Sequence, residues 1–135
     1  MDAAATTFID LEFDTGVQGG ARLGDIATSL VSLDELLRDL GSIAGESSAE
    51  FRNVEIVAIE MRSPLKIRLS LFGISPEAVE AFQEICRDVI LSREFGMPDG
   101  IAARITDAEA ARLRSHVATL RAAAIPLKRV EVKEP

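Results

Sequence analysis

Few residues in this chain have the type and spacing to do chemistry. Cys86 and His116 are each the single residue of their kind among 135. One thiol and one imidazole cannot supply the ligand set of a structural zinc site, and one cysteine cannot close an internal disulfide. A nucleophilic Cys–His pair needs only that the two meet in space. However, Cys86 falls on the apolar stripe of a predicted helix, where it reads as a small buried hydrophobe, and His116 reads as a boundary or surface residue. The acids Asp10, Glu12, Asp14, Glu55 and Glu60 lie on or beside predicted strands. If those strands are neighbours, the acids could converge to hold a hard cation or perform acid–base work. The competing expectation is cross-strand pairing with Lys66 and Arg68, which needs no function.

A glycine-rich loop from Asp14 to Arg22, with Gly16, Gly19, Gly20 and Arg22, joins a strand to a helix. Backbone N–H groups and the helix dipole can hold an anion at such a place. The loop has neither the Lys-Ser/Thr ending of a P-loop nor the Gly-x-Gly-x-x-Gly spacing of a dinucleotide site. Its glycines are equally explained by the backbone angles of a tight connection. No catalytic residue is assigned, and neither a cofactor nor a metal is expected.

The charge balance narrows the partners. The formal net charge is −7, which opposes nucleic-acid phosphates and anionic membranes unless the bases cluster. They are instead interleaved with acids and apolar residues. Trp and Tyr are absent and there are six Phe, expected to be mostly buried, so few stacking platforms remain for nucleotide bases. Neither nucleic acid nor membrane is an expected partner. The longest apolar stretches fall far short of the roughly 20 residues that cross a bilayer. The first residues lack the basic and apolar regions of a secretory signal, so a cytoplasmic location is expected. Twelve Arg against three Lys, with many Ala, matches the composition of high-GC bacterial genomes.

The elements that must position these residues are legible from periodicity. Phe8 to Phe13 alternates, with Ile9, Leu11 and Phe13 on one face, the period of a half-buried strand. Apolar residues at three- and four-residue steps from Leu23 to Leu40 predict a helix ending near Ile43. Val54 to Met61 is β-branched and short, with apolar residues on both faces, which predicts a well-covered strand. Leu65 to Leu71 alternates strictly, and Arg62-Ser-Pro64 between the two strands predicts an antiparallel hairpin. Ser75-Pro-Glu77 carries an N-cap, a first-turn proline and a first-turn acid, and opens a helix whose buried stripe contains Phe82 and Cys86. Phe95 to Gly100 reads as a loop. Thr106-Asp-Ala-Glu109 fits a capping box, and Pro126 ends the helix that follows. The tail from Lys128 to Lys133 alternates, consistent with an edge strand or a frayed end.

These elements predict a single α+β domain over residues 1–135, frayed at 1–6 and 134–135, in the order β-α-β-β-α-α-β. That order resembles the split βαβ of ferredoxin-like folds with one added helix, which implies a sheet with its helices on one face. Over residues 7–93 the topology is also similar to that of ACT-type regulatory domains, which implies small-ligand sensing at subunit interfaces. The Asp-x-Pro-Gly loop of those domains is replaced here by Asp14-Thr-Gly16, so no binding residue follows from the resemblance. Because no motif specifies a reaction, the leading expectation is a non-enzymatic protein–protein interaction or oligomerisation module, with a homo-oligomer or another protein as partner. An ACT-like sensor and a small enzyme using scattered carboxylates are the alternatives. Arg62, Lys66 and Arg68, on the solvent side of the hairpin, are the candidate partner-binding row.

Overall fold

The alternation of Ile9, Leu11 and Phe13 with polar residues forces one side of β1 (Thr6–Phe13) inward, and all three are completely buried. The computed structural model describes residues 6–16, 22–43, 54–60, 64–72, 74–94, 96–97 and 99–133. Within them β1 is followed by α1 (Leu23–Ile43), β2 (Val54–Glu60), β3 (Leu65–Phe72) and α2 (Pro76–Ile90). A short helical turn, α3 (Asp99–Ala102), then leads into α4 (Asp107–Arg121) and β4 (Leu127–Lys133). The fold is α+β, a four-stranded antiparallel sheet carrying three long helices. The tail from Lys128 to Lys133 is thus a strand, and Thr6, expected to be frayed, opens β1.

The strand order is β2-β3-β1-β4, every neighbouring pair antiparallel. β1 and β2 therefore run parallel to each other with β3 between them. The central pair places Ile9 opposite Leu69, Leu11 opposite Ile67 and Phe13 opposite Leu65. This apolar side continues onto β4 through Val130, opposite Leu11. The helices cover it: Leu33, Leu36, Leu37 and Leu40 of α1, Phe82 and Ile85 of α2, and Leu113, Val117 and Leu120 of α4 all belong to one buried cluster. The other side of the sheet, with Asp10, Glu12, Lys66 and Arg68, faces solvent.

The helix ends follow local chemistry. The Ser75 side chain accepts a hydrogen bond from the Ala78 amide at 3.2 Å. At α4 the capping box is complete: Thr106 Oγ1 accepts from the Glu109 amide at 3.2 Å, and a Glu109 carboxylate oxygen accepts from the Thr106 amide at 2.9 Å. These bonds from Thr106 hold the Glu109 carboxyl below its ordinary range. The end of α2 was not legible in the sequence. Ser92 adopts φ 52°, its amide donates to the Val89 carbonyl, and the Arg93 amide donates to the Asp88 carbonyl. That is a Schellman motif with serine in the left-handed position usually held by glycine.

One expectation is overturned. β2 is not a well-covered strand but an edge strand, intermediate in burial at Val54 and exposed from Glu55 to Glu60. Its apolar residues on both faces reflect an uncovered edge: of β2 only Val54 packs against the buried core, and β2 is outermost among the described strands. Of the described Phe, Phe13 and Phe82 are fully buried and Phe72 is 47% exposed.

Two outcomes test this packing. Phe82 is fully buried, so Phe82→Ala should lower the unfolding free energy by about 3–5 kcal/mol in urea titration, whereas Glu80→Ala on the exposed side should leave it nearly unchanged. Ser92→Gly should raise stability by about 0.5–1 kcal/mol, because glycine adopts positive φ without the penalty of a Cβ. A neutral or destabilising result would mean that the serine side chain stabilises the turn by more than its backbone strain costs.

Candidate functional site

Among the described residues, the solvent side of the sheet and the outer edge of β2 are two surfaces where exposed residue types gather. On the first, the side chains that alternate with the core line a basin of about 510 Å³. Asp10 and Glu12 come from β1, Glu60 from β2, Lys66 and Arg68 from β3, and Arg129, Glu131 and Lys133 from β4. Antiparallel register interleaves the signs: Asp10 lies opposite Arg68, Glu12 opposite Lys66, and Glu60 opposite Lys66 from the other side. Arg68 engages Asp10 in a forked pair, Nε to Oδ1 at 2.6 Å and Nη2 to Oδ2 at 2.9 Å, the geometry in which a planar guanidinium is strongest. Its Cζ also stands 5.8 Å from the Phe8 ring centroid. Lys66 pairs with Glu12 at 3.6 Å, and Glu131 accepts from Arg129 at 3.0 Å and Lys133 at 3.2 Å.

The hydrogen bond from Arg68 is the main reason the Asp10 carboxyl lies below its ordinary value. Partial burial opposes that shift, and the charges of Arg68, Lys133 and Lys66 reinforce it. Arg68 is in turn held more firmly protonated by Asp10.

Of the candidate carboxylates, Asp10, Glu12 and Glu60 share this basin. Asp14 and Glu55 do not: Asp14 Oδ1 accepts the Gly16 amide at 2.9 Å, and Glu55 borders a different groove. Cations separate the basin acids, and among the described residues no group of three or more His, Cys, Asp or Glu is gathered to hold a metal ion. Lys66 and Arg68 of the candidate partner-binding row are adjacent in the basin; Arg62 lies outside the described residues. In the candidate anion loop, Gly16 has φ +72° and gives its amide to Asp14, so this part of the loop supplies its own carboxylate. The Arg22 carbonyl accepts from the Asp25 and Ile26 amides at the start of α1, and Gly19 and Gly20 lie outside the described residues.

A second cluster was missed in the sequence. His116 of α4 is only 13% exposed in its side chain. Its Nε2 lies 2.9 Å from Asp39 Oδ2 and its Nδ1 3.6 Å from Glu35 Oε2, both on α1, while Arg112 Nε lies 3.7 Å from Asp39 Oδ1. The signal was present: Glu35 and Asp39 are four residues apart, as are Arg112 and His116, so each pair shares one helix face. Both imidazole nitrogens face carboxylates, which suits a clasp between α1 and α4 better than a base acting on a substrate. Cys86 is fully buried and burial raises its thiol pKa, so it has neither the access nor the thiolate character of a nucleophile.

The β2 edge is the other surface. Ile56, Val57 and Ile59 are 49%, 49% and 53% exposed. Beside them a groove of about 290 Å³ opens between α1 and the sheet, lined by Leu30, Val31, Leu37, Val54, Ile56 and Leu69. The opposite edge, β4, places Lys128, Arg129, Glu131 and Lys133 among its seven residues, the charged edge that discourages strand addition. No protein-family model, curated protein or solved structure matches this chain.

The Asp10–Arg68 pair has a pH signature. Since the folded-state pKa of Asp10 lies below the ordinary 3.8, its contribution to stability is present above about pH 4 and is lost as pH falls through the folded value. Asp10→Asn should cost about 1 kcal/mol or less at neutral pH, because the pair is partly solvated. Its unfolding free energy should fall less steeply than the wild type's below pH 4. Parallel acid limbs for the two proteins would show that Asp10 carries no such shift.

Proposed function

We propose that this chain is a non-enzymatic protein–protein interaction or oligomerisation module of a bacterial cytosolic protein. Its contact surface is the outer edge of β2 with the adjoining α1 groove. The observation that carries this reading is the contrast between the two sheet edges: β4 is laced with charge, whereas β2 exposes Ile56, Val57 and Ile59 along an edge with no neighbouring strand among the described residues. An uncovered apolar edge exposes both hydrophobic area and the unpaired backbone groups of an outermost strand, and a strand or a second sheet satisfies both. The fold is assigned to the ferredoxin-like group on the same footing, since β3 separates the two parallel strands of a βαβ unit and the strands read 4-1-3-2 from the β4 edge.

The open-face basin offers less support for a small-ligand sensor. Asp10, Glu12 and Glu131 already engage its cations, so a ligand would have to displace existing pairs. Lys66 and Arg68 flank the contact surface as a solvated charged row rather than forming its centre.

A photo-reactive amino acid placed at position 57, and in separate variants at 66 and 128, tests the reading in cells. Covalent adducts of defined mass should form from position 57 and be weak or absent from 128 at the β4 edge. Adducts from 66 alone would move the contact to the charged row of the hairpin. No adduct from any of the three positions would remove the interaction reading.

A further inference from the structure

We infer that the occupant of the β2 edge is a second copy of this chain, its β2 paired antiparallel with the first across a two-fold axis to make one continuous eight-stranded sheet. This deepens the interaction reading and rests on it. The choice of occupant comes from the residues themselves. Register with β3 fixes which way the β2 side chains point at every position but Val57, which has no partner on β3. Val54, Ile56 and Ile59 lie opposite Leu71, Leu69 and Ile67 and so share the helix-covered side. Glu55, Ala58 and Glu60 lie opposite Ser70, Arg68 and Lys66 and so share the open side. The irregularity between Ile56 and Ala58 is what lets Ile56 and Ile59, three residues apart, point the same way.

An antiparallel pair of β2 strands must keep like faces together, which leaves few registers. In one, Val54 meets the second copy's Ile59, Glu55 meets its Ala58, and Ile56 and Val57 meet each other at the axis. Apolar residues then face apolar residues on the helix side, and neither glutamate is set against a glutamate within Val54 to Ile59. A slip of two residues pairs Ile56 with Ile59 but sets Glu55 directly opposite Glu60 twice, which like-charge repulsion disfavours. Pairing β2 with the β4 edge of another copy would place Ile56, Val57 and Ile59 beside Lys128, Arg129 and Lys133. It would also be a head-to-tail contact, which closes only if its rotation completes a ring, whereas β2 against itself closes after two copies. A two-fold axis normal to the sheet brings the two α1 helices side by side, so that Val31, 55% exposed, and the groove beneath it close against their symmetry mates.

Light scattering behind a size-exclusion column should give twice 14.5 kDa for the wild-type chain. It should give a single chain mass for Ile59→Arg, which changes an exposed residue and should keep the wild-type circular dichroism. The double variant Glu55→Cys with Ala58→Cys reads the register. Mild oxidation should convert it to a covalent dimer, while Glu55→Cys with Glu60→Cys should crosslink poorly; Cys86, fully buried, stays out of the reaction. A wild-type mass of 14.5 kDa up to the highest soluble concentration would overturn the two-fold pairing, as would a dimer that survives Ile59→Arg. If that monomer still forms adducts with a different protein from position 57, the two-fold pairing falls and the interaction reading stands. If it forms none, both fall. Efficient crosslinking of the Glu55/Glu60 variant instead of the Glu55/Ala58 variant would overturn the register.

Discussion

Everything in this fold depends on burying one side of the β1–β3 pair. Ile9, Leu11 and Phe13 alternate against Leu65, Ile67, Leu69 and Leu71, and none of the seven is more than 6% exposed. A period of two sends every other side chain to the opposite side, so the demand that creates the core also creates the charged basin. The polar residues there pair across strands because the same register brings opposite signs together. The forked Arg68–Asp10 pair, centred on the two middle strands, is the tightest of them.

The helices answer to that buried side, and they answer unevenly. α2 packs against β4, α4 packs against α1 and α2, and His116 of α4 ties that helix to α1 through Asp39 and Glu35. α1 is the longest helix, yet it packs beside β2 without covering its outer half. Leu33, Leu36, Leu37 and Leu40 turn inward while Val31 stays exposed. Three long helices are enough for three strands and part of a fourth. The uncovered remainder is Ile56, Val57 and Ile59, and this shortfall of cover makes the β2 edge the most incomplete surface among the described residues.

Charge is distributed to match. β4, the other outer strand, is kept from further pairing by Lys128, Arg129, Glu131 and Lys133, whereas β2 carries only the glutamates at positions 55 and 60 among apolar residues. Two edges of one sheet thus meet opposite physical rules: one is blunted and the other is open.

The elements themselves were legible residue by residue. Strict alternation placed β1 and β3, the Ser75-Pro-Glu77 start placed α2 and the Thr106 capping box placed α4, while alternation after Pro126 left an edge strand and a frayed end equally open. These are short-range consequences of side-chain period and of orphan backbone groups at helix ends, and both are written in adjacent residues. The position of β2 was not. Apolar residues on both faces of Val54 to Ile59 mean a buried strand if the sheet continues past it and an exposed edge if it does not, and only strand order decides between them. The same holds for the clasp around His116, whose spacing was visible on each helix but whose partners are 77 residues apart in the chain. Ser92 in the left-handed position of the α2 terminus escaped notice because serine carries no signal for positive φ. What the chain by itself determined was local: which residues form strands and helices, and which side of each is apolar. Tertiary structure alone decided which apolar sides were covered, because coverage depends on neighbours distant in sequence.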